Sequence, residues 1–168
     1  SNNVAMGYQA GYSNTTGASN TAVGYQAAYA TTTGFQVVAI GQSALYANTT
    51  GAAHVAVGVN ALTANTTGNS NTGVGVAALS SNTSGSSNVG IGQQSLNSNT
   101  TASNNTAVGY QAGYTNTAAD NAFFGYQAGY TNTSGGSTFI GRSAGYLNST
   151  GTSNTFVGKI TGYSNSTG

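Results

Sequence analysis

One step recurs along the whole chain: an apolar residue followed by glycine, at Gly7, Gly24, Gly41, Gly58, Gly75, Gly92, Gly109, Gly125, Gly141 and Gly158. The intervals are 17 residues six times, then 16, 16 and 17. A period of this kind makes each unit one supersecondary element, too small to bury its apolar side alone and able to do so by stacking on its neighbours. The units are nearly copies: Gly-Tyr-Gln-Ala-Gly-Tyr-Thr-Asn-Thr stands at 109–117 and again at 125–133. A disordered tract rich in Tyr, Asn, Gln and Gly would keep no such frame.

The columns of the repeat assign its parts. The residue before the anchor glycine is apolar in every unit, as in Val23, Ile40, Val57 and Val74. Three before the anchor, Val or Thr dominates, and the two columns share one face of a strand of period two. Segments such as Asn-Thr-Ala-Val-Gly-Tyr are rich in strand formers and lack Pro. Asn-Thr-Thr-Gly and Asn-Thr-Ser-Gly lie between them and suit turns with positive φ. Both 16-residue intervals lose their residue in that turn, at 116–121 and 132–137, where a deletion leaves strand register intact. The expected fold is all-β: a parallel β-solenoid or β-roll of ten coils of about 17 residues. Residues 1–168 read as a single uncapped array, a section of a longer fibre.

Four columns carry finer expectations. The Asn four before the anchor (Asn3, Asn20, Asn71, Asn88, Asn105) suits an amide ladder. The Ala three after the anchor suggests close backbone approach. Units with Gly four after the anchor carry Tyr next, whereas the middle units read Leu62–Thr63, Leu79–Ser80 and Leu96–Asn97, as if one large group filled the same space from either position. Phe123, Phe139 and Phe156 enter a column of Ala and Gly, which favours a wider core over an inter-chain surface. With two or three sizeable apolar side chains per unit, burial at about 2 kcal/mol each offsets little of the backbone entropy. Neighbouring coils are therefore expected to meet by their apolar faces or to be supported laterally.

Charge is nearly absent: Arg142, Lys159 and Asp120 are the only charged side chains. A nucleic-acid partner has no electrostatic support, and no basic stripe or long apolar run points to membrane insertion. One Asp, one His, no Glu and no Cys cannot form a carboxylate pair, a triad or a metal cluster, so no enzyme, cofactor or metal is expected. His54 falls in the Asn column and reads as a substituted ladder position; Asp120 reads as a turn residue. Arg142 and Lys159 share one column in adjacent units and should face solvent. Any signal sequence is expected to lie outside 1–168.

One repeated motif has chemical content. Seven residues after the anchor stands an Asn whose second neighbour is Ser or Thr, at Asn14, Asn48, Asn65, Asn82, Asn99, Asn132, Asn148 and Asn165. This is the N-glycosylation acceptor pattern in an expected exposed turn, and covalent glycans would give a charge-poor chain a polar coat. The same letters are also plain turn chemistry, and duplication copies any motif.

Ser-Asn-Thr-Ala-Val-Gly-Tyr-Gln-Ala at 19–27, Ala-Ala-His-Val-Ala-Val-Gly-Val-Asn-Ala at 52–61 and Ser-Asn-Val-Gly-Ile-Gly-Gln-Gln-Ser at 87–95 resemble the head repeats of trimeric autotransporter adhesins, and similar arrays in phage tail-fibre proteins. The resemblance implies a left-handed parallel β-roll assembled as a trimer, with the Val/Ile column facing inward, and an extracellular structural or adhesive role. The unit here is longer than the usual head repeat. The expected function is thus a non-enzymatic structural repeat of an extracellular or surface fibre, glycan-decorated, self-associating as a homotrimer or filament. The alternatives are an adhesive head or shaft contacting host or surface glycans, and, last, an ice-binding solenoid.

Overall fold

A computed structural model describes residues 2–166. The chain is an all-β solenoid. Ten three-residue strands, from Val4–Met6 to Thr155–Val157, form one parallel sheet in sequence order. Each strand lies in register on the next, so that Val38, Ala39 and Ile40 pair with Val55, Ala56 and Val57. A two-stranded parallel ladder, Thr131–Asn132 with Leu147–Asn148, adds a second wall among the last coils. Coils are numbered 1 to 10 below by their anchor glycines.

The anchor explains the fixed register. Each of the ten anchors has φ between +123° and +139°, a region that side chains other than glycine rarely adopt. A Cβ at Gly75 would sit 2.7 Å from the carbonyl carbon of Gly92 in the coil above. Successive coils thus approach closely at the anchor column, and again at the turn glycines such as Gly17 and Gly68, rather than at the Ala column expected from sequence. Ala27, Ala44, Ala61 and Ala78 instead lie wholly buried in the interior.

A strand of three residues points one side chain inward and two outward. The middle residue is the inward one: Ala22, Ala39, Ala56, Ala107, Phe123 and Phe139 are buried. Phe123 and Phe139 are core residues, in line with the wider-core expectation. The large group four after the anchor also points inward in the middle coils, where Leu45, Leu62, Leu79 and Leu96 are fully buried.

The expected exchange of Leu and Tyr through one space is corrected. The Leu side chains lie inside, whereas the tyrosines one position later stand on the outer surface. The true exchange is across the lumen. Leu62 and Leu79 approach Gly73 and Gly90 on the strand side, while Phe123, Phe139 and Phe156 approach Gly129, Gly145 and Gly162 on the opposite side. One bulky group fills each of these coils, supplied by one wall or the other. In coil 7 both positions are small, and Leu96 from below and Phe123 from above close the space over Gly113. Coils 1 and 2 offer only Ala5, Gly11, Ala22 and Ala28, and a cavity of about 240 Å³ lies there, edged by Asn3 and Asn14.

Candidate functional site

The acceptor-pattern asparagines form the inner lining of the turn. Asn48, Asn65, Asn82, Asn99, Asn132 and Asn148 have no exposed surface, and Asn14 and Asn165 are half-buried. Their amides climb the axis. Asn65 Nδ2 donates to Asn48 Oδ1 at 2.9 Å, Asn82 to Asn65 at 2.8 Å and Asn99 to Asn82 at 3.0 Å. The ladder resumes from Asn132 to Asn116, Asn148 to Asn132 and Asn165 to Asn148. Most of these amides also donate to a carbonyl in their own turn, as Asn48 does to Gly51 and Asn82 to Gly85. The expected exposed turn is therefore corrected at these positions. The nitrogen that would carry a glycan is spent on interior hydrogen bonds, and a buried amide without partners is costly. Thr167, third residue of the last motif, lies outside the described residues.

The Asn column four before the anchor is also interior, but its bonding differs from a simple amide stack. Asn20 Oδ1 accepts the backbone N–H of Val37 one coil up, and its Nδ2 donates to the carbonyl of Gly34 in the next turn of the chain, stacked on Gly17. Asn71 repeats the pattern with Asn88 and Gly85. His54 reproduces it in imidazole form. Its Nδ1 accepts the N–H of Asn71, its ring hydrogen-bonds to the backbone at Gly68, and Asn65 Nδ2 lies 3.2 Å from Nε2. Burial holds its pKa below the usual histidine range, with those backbone bonds opposing. The substituted-ladder reading of His54 thus agrees with its geometry.

Outside, the column before the anchor forms a continuous apolar strip, flanked three residues earlier by a column that mixes Val4, Val38, Val55 and Val89 with Thr21, Thr72, Thr106, Thr138 and Thr155. Ile40, Ile91, Phe124 and Ile140 are each about 40% exposed, and Val23, Val57, Val74 and Val108 are half-buried between them. Tyr8, Tyr25, Val59, Val76, Tyr110 and Tyr126 extend it past the anchor. Arg142 and Lys159 sit exposed in that same column, and the Arg142 guanidinium lies 5.8 Å from the centre of the Tyr126 ring. Asp120 is an exposed turn residue with φ +63°, and it accepts a bond from Asn104 Nδ2.

On another outer face the tyrosines five after the anchor stack in two runs. Tyr12, Tyr29 and Tyr46 are spaced 5.3 and 5.1 Å between ring centres; Tyr114, Tyr130, Tyr146 and Tyr163 are spaced 5.1, 4.9 and 4.9 Å. Neighbouring planes in these runs lie within 8° of parallel. Burial, then the phenols of Tyr130, Tyr163 and Tyr126, raise the pKa of Tyr146. Sequence reasoning missed these stacks, although the in-register repeat of Tyr was the signal for them.

Among the described residues no cluster of three or more His, Cys, Asp or Glu could hold a metal, and no helix is long and apolar enough to cross a membrane. Comparison with protein-family models, with curated proteins and with solved structures gave no match. The class the fold defines is a β-solenoid tandem-repeat protein with an amide-lined turn and an outer strand face that carries a continuous apolar column.

Proposed function

We propose that the chain is a non-enzymatic structural repeat of an extracellular or surface fibre, and that its strand face packs against further copies of itself. The carrying observation is the apolar strip. Ten strands at about 4.8 Å make it about 48 Å long, and with the flanking columns, where Val and Tyr alternate with Thr, Gln and, in the last coils, Arg142 and Lys159, the strand face is about 14 Å wide. The resulting area, about 700 Å² per copy, is close to what one partner gives to a stable protein interface. A second copy is the occupant with the same axial repeat, so each Val or Ile meets an equivalent group at every coil. Assembly around a common axis agrees with the trimer that the resemblance implies.

Burial of the acceptor asparagines argues against N-linked decoration, so the fibre is read here without it. An adhesive role would belong to surfaces that this repeat does not distinguish. Ice binding gains no support, because each strand from coil 2 to coil 10 shows a Thr, Val or Ala beside a Val, Ile or Phe and never two threonines.

The test is the mass in solution by light scattering of the chain and of a Val57→Lys/Ile91→Lys variant. The chain should be oligomeric and the variant monomeric, with unchanged circular dichroism. A monomeric parent chain across the accessible concentration range would sink the reading.

A further inference from the structure

The tyrosine stacks have no part in the core, the amide ladders or the apolar strip. Aromatic stacking contributes about 0.5–1.5 kcal/mol per pair, yet the middle coils form without it, with Thr63, Ser80 and Asn97 in the same column. Their arrangement matters more chemically. Each ring is held parallel to the next by backbone register, at 4.9–5.1 Å over the four rungs Tyr114, Tyr130, Tyr146 and Tyr163. The run meets solvent along its outer edge: Tyr114, Tyr130 and Tyr146 are half-buried, and the terminal rung Tyr163 is 41% exposed. The reacting partners are therefore already side by side, which removes most of the entropy cost of bringing two phenols together.

We propose that the tyrosine column is a site of oxidative cross-linking, in which a peroxidase-type one-electron oxidant driven by hydrogen peroxide joins phenols of successive coils. Each of two adjacent tyrosines gives up one electron and its hydroxyl proton. The two phenoxyl radicals form a carbon–carbon bond between ring positions ortho to oxygen. Each ring then transfers its displaced ortho hydrogen to oxygen and regains aromaticity. Two hydrogen atoms leave the protein in all, and one peroxide is reduced to two waters. The product clamps coil to coil covalently, in a chain that has no cysteine to do so.

The experiment treats the intact chain, dilute, with a haem peroxidase and hydrogen peroxide, then maps peptides by mass spectrometry. The expected products are peptide pairs lighter than their sum by two hydrogens, joining Tyr130 to Tyr146 and Tyr146 to Tyr163 within one chain. Tyr146→Phe should abolish both links without creating one between Tyr130 and Tyr163, which are two rungs apart. The same treatment in guanidinium should scatter the links over all tyrosines. Links that join only different chains, or a pattern unchanged by unfolding, would overturn the proposal. So would links confined to Tyr8, Tyr25, Tyr110 and Tyr126, the second tyrosine column.

Discussion

In coils 3 to 6 the lumen is filled by Leu45, Leu62, Leu79 and Leu96, from a position whose φ lies between 48° and 54°. In coils 8 to 10 it is filled by Phe123, Phe139 and Phe156, from the middle of a strand, while the position four after the anchor is Gly with φ of 58–61°. Both arrangements supply one bulky group per coil. The leucine version places a branched side chain on left-handed backbone, at a cost of about 1–2 kcal/mol per residue; the phenylalanine version leaves that conformation to glycine, which adopts it freely. The C-terminal coils also pack their aromatic cores ring on ring, tilted at 5.6 Å between Phe123 and Phe139 and stacked at 5.1 Å between Phe139 and Phe156. A repeat can thus conserve its outline while moving its core from one wall to the other.

The two regions meet where the first residue is lost. Below coil 7, Thr hydroxyls climb the turn from Thr15 to Thr32, Thr49, Thr66, Thr83 and Thr100. The shortened turn at 116–121 ends that run. Asn116 Nδ2 turns to Ala118 at 2.7 Å, and Asn121 reaches back to the same carbonyl. Asn99 Oδ1 and Asn105 Nδ2 are left buried without partners. The strand sheet crosses the junction without interruption, since Thr106, Ala107 and Val108 pair with Ala122, Phe123 and Phe124. Deletions fall on the turn because the sheet admits none.

The comparison can be broken most directly in the core. Phe139→Ala should cost about 3–5 kcal/mol and Leu79→Ala about 2–5 kcal/mol in urea unfolding. The discriminating variant is Phe139→Ala with Gly145→Leu, which rewrites coil 9 in the style of coil 4. It should recover most of the loss, falling short by about the strain of a left-handed leucine. Gly145→Leu alone should destabilise, because a Cβ there already lies 2.5 Å from the Phe139 ring. If the double variant is no better than Phe139→Ala, the two cores are not interchangeable.

A smaller effect sharpens the junction. Inserting a Thr after Thr117 together with Ala118→Gly, so that the turn reads Asn-Thr-Thr-Gly-Ala-Asp-Asn, should return a carbonyl to Asn105 and a donor to Asn99. The expected gain is about 1–3 kcal/mol, the usual cost of a buried unpaired polar group. An unfolding midpoint that does not rise would show that the orphaned atoms are satisfied in some other way.

The smallest effect concerns the middle coils alone. His54 has its pKa lowered from 6.5 in the folded chain, so the unfolded chain binds more protons as the pH falls below that value. Its contribution to stability should be intact above pH 6.5 and lost as the pH drops through the lowered folded value. His54→Asn should flatten that slope in thermal melts between neutral and acidic pH. An identical slope in both proteins would exclude His54 as its source.

The sequence by itself determined the period, the parallel coil, the strand and turn segments and the place of each deletion. These follow from local chemistry: strand formers, turn residues, and the fixed spacing of the apolar–glycine step. Only the tertiary structure decided which columns point inward. Ala22 and Val23 are both apolar, so alternation along three residues cannot choose between them. The middle of the strand faces the lumen, which the Leu of coils 3 to 6 already fills, so the small residue stands there and the branched one outside. Asn65 reads as an exposed turn residue in the sequence for the related reason that a polar letter suggests solvent. In a solenoid its equivalent stands one coil away on either side, and amide bonded to amide at every step makes the interior a satisfied place for asparagine.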